Sequence, residues 1–107
     1  MLSAGQVHSL LGDLKADLKT ALGDKLEELV LFGSYSRGDY SKYSDIDLII
    51  LVEDELTRSE NATVDELVAR YSLRYDIVIS GLVYPITSYR KINTPFFLNV
   101  REEGIKI

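Results

Sequence analysis

A two-layer α+β architecture (α/β two-layer), with a small mixed β-sheet and helices packed mainly on one face, is the fold class this sequence predicts. Three observations predict it. Leucines recur at helical spacing through the first segment, short apolar runs stand at Leu29–Phe32 and Asp47–Val52, and helix-like and strand-like segments follow one another to the C-terminus. At 107 residues, the chain has the size of one ordinary domain spanning 1–107, and no repeat, low-complexity tract or linker divides it.

In the first segment, Val7, Leu10, Leu11, Leu14, Leu18 and Leu22 form the stripe of an amphipathic helix, with Ser3 as N-cap and Gly23 as stop. His8 lies on this helix; with no second histidine in the chain, it reads as a surface or boundary residue. Leu29-Val30-Leu31-Phe32 then reads as a buried strand ending in a tight Gly33-Ser34 corner. After a polar connection, Asp47–Val52 gives a second buried strand, and Glu53-Asp54-Glu55 opens an acidic loop that runs to Ala62. Thr63 and Glu66 have the spacing of a capping box, and Val64, Leu67, Val68 and Tyr71 supply the apolar face of a helix of about three turns. Tyr75–Ser80 is expected to be a third strand, with Asp76 at its start, Gly81 as its break and an apolar segment to Pro85 beyond. Thr94-Pro95 begins a last helix that closes at Gly104, and Ile105-Lys106-Ile107 alternates as a short strand.

Composition narrows the functional classes. With 46% apolar and 27% charged residues, the chain is expected to pack a core. A net charge of -5 argues against a broad cationic face for duplex nucleic acid, because phosphate neutralisation supplies most non-specific affinity there. The absence of cysteine rules out disulfides and thiolate metal sites. No apolar run approaches the roughly 20 residues of a membrane span, and the charged, punctuated start lacks a signal-peptide block, so no membrane association and a cytoplasmic location are expected. Asn61-Ala62-Thr63 fits a glycosylation acceptor, but in a cytoplasmic chain it marks a surface loop.

The chemistry concentrates between Phe32 and Leu51. A strand that turns at Gly-Ser into a helix directs backbone N–H groups into one small volume; Gly33 lets a phosphate approach without a Cβ clash, and Ser34 adds a hydroxyl donor. Gly33 and Gly38 have P-loop spacing, but Asp39-Tyr40 stands where that motif needs Lys and Ser/Thr, and no dinucleotide fingerprint is present. Asp45 and Asp47 are two apart, so in an extended chain both carboxylates leave one face, with Cα atoms about 6.5 to 7 Å apart. Such a pair can be a solvated strand rim or can grip a hard cation such as Mg²⁺ beside substrate phosphates. The buried run Leu48–Leu51 that follows favours the cation, because crowded, partly buried like charges need compensation. Asp76 offers a third carboxylate if its strand is a neighbour.

Taken together, Gly33-Ser34, a ten-residue spacer containing Arg37-Gly38, Ser44-Asp45-Ile46-Asp47, Tyr75-Asp76-Ile77-Val78 and the closing Val100–Gly104 resemble the DNA polymerase beta-type nucleotidyltransferase superfamily, particularly its minimal nucleotidyltransferase (MNT) domains. Ser36 stands where that pattern often has alanine. The resemblance implies a nucleotidyltransferase fold and an enzyme in which Gly33 and Ser34 hold the β- and γ-phosphates of ATP or another NTP. It further implies that Asp45 and Asp47 ligate two Mg²⁺ ions, and that Asp76 completes the metal site and helps deprotonate an acceptor hydroxyl. Arg37 would neutralise phosphate charge or, alternatively, be a surface arginine paired with Asp39.

The same resemblance implies that NMP, AMP from ATP in the first instance, passes to a hydroxyl of a partner protein. The implied setting is that of antitoxins in HEPN/MNT toxin–antitoxin pairs, where the MNT protein AMPylates a tyrosine of a HEPN ribonuclease in a hetero-oligomer. Two alternatives stand beside this: a non-catalytic module that masks its partner by contact, and transfer to a small molecule. Tyr35, Tyr40 and Tyr43 surround the motif and could stack on a base or pack the short helix against the sheet.

Overall fold

The leucine stripe folds as expected. Helix α1 (Ala4–Leu22) buries Val7, Leu10, Leu11, Leu14, Leu18 and Leu22, and the exposed His8 lies off that stripe. The Ser3 hydroxyl accepts from the Gln6 N–H at 3.1 Å, while Gln6 Oε1 accepts from the Ser3 N–H at 2.8 Å, so the cap is reciprocal. Gly23 ends the helix at φ 58. The computed structural model describes residues 2–41 and 45–107.

Beyond a 3₁₀ turn at Gly23–Lys25, the elements are β1 (Leu26–Phe32), α2 (Ser34–Arg37), β2 (Ile46–Val52), α3 (Arg58–Tyr75), β3 (Ile79–Pro85), α4 (Ile86–Lys91), α5 (Pro95–Glu103) and β4 (Ile105–Lys106). The strands form one mixed sheet in the order β3-β2-β1-β4. β1 is antiparallel to both β2 and β4, and β2 is parallel to β3. The last helix begins as the sequence predicts, with the Thr94 hydroxyl accepting from the Phe97 N–H at 3.2 Å and Pro95 at the first helical position.

The two long helices, α1 and α3, cover one face of the sheet over a core that includes Leu29, Leu31, Ile46, Leu48, Ile50 and Ile79. The opposite face is covered too. There, α4 and α5 bring Ile86, Tyr89, Phe97 and Val100 against Val30, Ile49 and Leu51. Six of the seven residues of β2 are buried, which is why its sequence reads as a continuous apolar run instead of an alternation.

Two expectations need correction. The second long helix starts at Arg58, not Thr63. A capping box one and a half turns earlier wins: the Thr57 hydroxyl accepts from the Glu60 N–H at 3.1 Å, and Glu60 Oε1 accepts from the Thr57 N–H at 2.9 Å and from Lys25 Nζ at 2.8 Å. Thr63 lies inside the helix, its hydroxyl donating to the Ser59 carbonyl. At its other end, α3 runs to Tyr75, so Asp76 is the helix C-cap in the left-handed conformation at φ 51 and not the first residue of a strand. β3 therefore begins at Ile79 and continues through Gly81 to Pro85. The extension of α3 is held from α1: Tyr71, 3% exposed, donates its hydroxyl to Asp17, and burial together with that carboxylate pushes the phenol pKa up to about 12. The sequence reading did not foresee α4, about a turn and a half with only Ile86 and Tyr89 buried, too short for its periodicity to be read.

Thr57→Ala should lower unfolding free energy by about 1 kcal/mol in urea denaturation, whereas Thr63→Ala should change it by no more than a few tenths. Gly104 gives a second check. A Cβ there would lie 2.5 Å from the Val100 carbonyl oxygen and 2.6 Å from Val30 Cγ1, so Gly104→Ala should lower the midpoint further and raise hydrogen exchange at β4 before it does so at β2.

Candidate functional site

The sheet topology gathers the predicted residues at one edge. Antiparallel pairing sets Phe32, the last residue of β1, across from Asp47 near the start of β2. Parallel pairing begins β3 beside that same end, where the Ile46 N–H donates to the Val78 carbonyl at 2.9 Å. The Gly33 corner, the paired aspartates and the turn after Asp76 thus share one end of the molecule.

Gly33 is required there for two reasons. Its φ of 76 belongs to the left-handed region, and a Cβ on it would fall 2.5 Å from Asp47 Oδ2. The carboxylate of Asp47 occupies the space a side chain would take. The corner is braced: the Gly33 carbonyl accepts from the Ser36 N–H at 3.1 Å, the Arg37 N–H at 3.2 Å and the Ser36 hydroxyl at 2.8 Å. Ser36 supplies two of those bonds, and the one from its hydroxyl is what this residue adds over the alanine often found there. Ser34 opens α2 half-buried, directly after the corner.

Asp45 is exposed just before β2, and Asp47 is half-buried inside it. Desolvation raises the Asp47 carboxyl above its ordinary value; the charge of Asp45 pushes it further up, and Arg37 pulls it back. Asp45 and Arg37 therefore each act on Asp47 electrostatically. Arg37 realises the pairing the sequence allowed, with Nε to Asp39 at 3.2 Å, and adds Nη1 to Glu103 of α5 at 3.4 Å. It is a tethered surface cation beside the acidic pair. The guanidinium would have to exchange Asp39 or Glu103 for a phosphate.

Asp76 is not brought into a ligand set with the other two. It caps α3, exposed, three residues before β3, and among the described residues no group of three His, Cys, Asp or Glu is placed to hold a metal ion. The Asp45–Asp47 pair still fits a hard cation: two oxygen-donor side chains that repel one another, one of them partly desolvated, suit an ion that takes one or two carboxylates and completes its shell with water and phosphate.

Tyr35 and Tyr40 stack on each other, ring centroids 4.4 Å apart and 12° from parallel, and Tyr35 is 8% exposed. The packing alternative holds for them. Burial, with Tyr40 and Asp45 nearby, raises the Tyr35 phenol. Tyr43, and the Ser44 that precedes Asp45, lie outside the described residues. Sequence reasoning missed Phe96 and Glu103 as neighbours of the site. Glu103 and Phe96 belong to α5, some sixty residues along the chain, and no local spacing could announce them.

Residues 11–103 match the family model of the nucleotidyltransferase domain. A protein of Methanocaldococcus jannaschii, provisionally named a protein adenylyltransferase, is 39% identical over 102 residues, which is 95% of this chain and 99% of that protein. A crystal structure of a toxin–antitoxin with AMP-PNP superposes with a TM-score of 0.62 at 26% identity, over 88% of this chain and 69% of that one. A tri-AMPylated Shewanella oneidensis HEPN toxin in complex with MNT antitoxin matches with a TM-score of 0.52 at 23% identity, over 96% and 66%, a likeness of fold. No helix among the described residues is long and apolar enough to cross a membrane. With its corner glycine packed against Asp47 and the family model matching residues 11–103, the chain belongs to the nucleotidyltransferase domain family.

Proposed function

We propose that this protein transfers a nucleoside monophosphate, AMP from ATP, to a hydroxyl of a partner protein. The observation that carries this is the seating of the Asp47 carboxylate on Gly33, which joins the phosphate corner and the acidic pair into one site. Gly33 and Ser34 face the β- and γ-phosphates, and Arg37 swings from its carboxylate partners onto phosphate oxygen. Asp45 and Asp47 would hold Mg²⁺, two ions in the family pattern. A metal held there would supply neutralisation of the charge that develops in an in-line displacement. The acceptor hydroxyl attacks the α-phosphorus, an O–P bond forms as the bond to pyrophosphate breaks, and the hydroxyl proton leaves to a carboxylate. Asp76 is assigned to complete the ligand set and help take that proton, which requires the turn at 76–78 to move toward Asp45 when nucleotide binds.

Similarity to a provisionally named protein adenylyltransferase supports a protein acceptor. Similarity to a toxin–antitoxin with AMP-PNP supports ATP as donor and antitoxin action as the setting. The partner that follows is a HEPN-family ribonuclease, modified on tyrosine in the cytoplasm. A second reading has a specific observation behind it: the third carboxylate is not assembled with the other two, as would suit a module that masks its partner by contact.

Labelled ATP, Mg²⁺ and the protein encoded beside this chain should yield a labelled neighbour, with label lost in Asp45→Asn. No label with the native protein, or undiminished label with Asp45→Asn, would overturn transfer. Cell protection separates the two readings, since masking survives Asp45→Asn/Asp47→Asn and catalysis does not.

The raised Asp47 carboxyl also predicts a stability trade. A carboxyl whose folded pKa exceeds its unfolded value opposes folding as pH climbs through the unfolded value toward the folded one, and the full penalty persists above. Without divalent metal, Asp47→Asn should therefore raise Tm near neutral pH, and acidification through that window should shrink its advantage. Adding Mg²⁺ should raise Tm of the native protein and leave Asp47→Asn nearly unmoved.

A further inference from the structure

Phe96 is an exposed aromatic ring held still beside the site. It meets Phe32 edge-on, ring centroids 5.6 Å apart at 87°, and its helix neighbour Phe97 at 5.5 Å and 63°. Phe97 is 6% exposed and belongs to the core, but Phe96 is 39% exposed. A phenylalanine braced by two aromatic neighbours with part of its surface in water is a prepared apolar shelf, because little conformational freedom remains to be lost when something covers it.

Its position says what covers it. Phe32 adjoins Gly33 in the chain and lies across from Asp47 in the antiparallel register, where opposed residues point to one face with Cβ atoms about 5 Å apart. Phe96 extends that pair outward from the phosphate corner. Along α5, Asn99 and Glu103 follow Phe96 at helical spacing on the same face, and Glu103 reaches back to Arg37 at 3.4 Å. The shelf thus runs beside the corner that takes phosphate and is bounded by polar side chains. In a nucleoside triphosphate, the flat apolar part is the base. Tyr35 and Tyr40 are less suited, since they already cover each other.

We propose that Phe96, buttressed by Phe32, is the stacking platform for the nucleobase, which makes it a binding and specificity residue that favours the larger purine ring. This rests on the nucleotidyltransferase reading above. Base–aromatic stacking of this kind changes affinity by roughly tenfold or more on truncation to alanine.

The chain has no tryptophan, so Phe96→Trp installs a lone indole fluorophore at the shelf. With Mg²⁺ present, ATP and GTP should quench it more strongly than UTP, and inorganic tripolyphosphate should not quench it. In calorimetry, Phe96→Ala, shown by circular dichroism to be folded, should bind ATP about tenfold more weakly and tripolyphosphate unchanged, while Phe96→Trp keeps ATP affinity. Equal ATP affinity in Phe96→Ala and the native protein overturns the platform. So does loss of partner labelling with nucleotide affinity intact, which would give the ring to the acceptor. If the native protein binds neither ATP nor tripolyphosphate, the nucleotidyltransferase reading fails first.

Discussion

Phe32 faces Asp47 across the antiparallel pairing of β1 and β2, and the next residue, Gly33, has room for the Asp47 carboxylate only because it has no side chain. Shifting that register by one residue would turn every side chain of β2 to the opposite face and point Asp47 into the leucine core under α1. The apolar residues around it prevent this. β2 is buried on both sides, so each of its neighbours in the two core clusters holds the register in which the carboxylate meets the corner. Fold stability and site geometry are one constraint here, expressed through a single pair of strands.

Electrostatics at this edge work against the fold until something positive arrives. Asp45 and Asp47 repel, burial raises the inner carboxyl, and Arg37 offsets only part of the charge while also engaged with Asp39 and Glu103. This arrangement is what the proposed binding of a cation together with a nucleotide would relieve. The Arg37–Glu103 contact also ties the corner to α5, the helix that carries the aromatic shelf. One charged side chain therefore links the phosphate corner with the residues proposed to hold the base.

Much of this was legible in the sequence because it was local. The leucine stripe of α1, the Ser3 and Thr94 caps, the Gly33 corner and the apolar run of β2 each announce themselves within a few residues. The errors share a cause. Thr57 and Thr63 carry equivalent capping boxes, and the choice went to Thr57, whose Glu60 also meets Lys25 from the far side of the chain. Asp76 looked like the start of a strand because Ile77-Val78-Ile79 is β-prone, yet α3 is drawn out to Tyr75 by Tyr71 reaching Asp17 on α1. Likewise Phe96 meets Phe32, and Glu103 meets Arg37, through tertiary packing of α5. Long-range contacts leave no periodicity to read.

The seating of Asp47 on Gly33 binds the histories of these two positions. While the aspartate stands, no side chain can be accepted at the corner; once it is replaced by a residue too short to reach, the steric half of the veto disappears and only the backbone preference remains. A lineage that abandoned transfer chemistry and kept only a docking role would lose the aspartate first and the glycine after it. Descendants that keep the glycine after losing the aspartate would then stand nearer to the loss of the chemistry than those that have lost both.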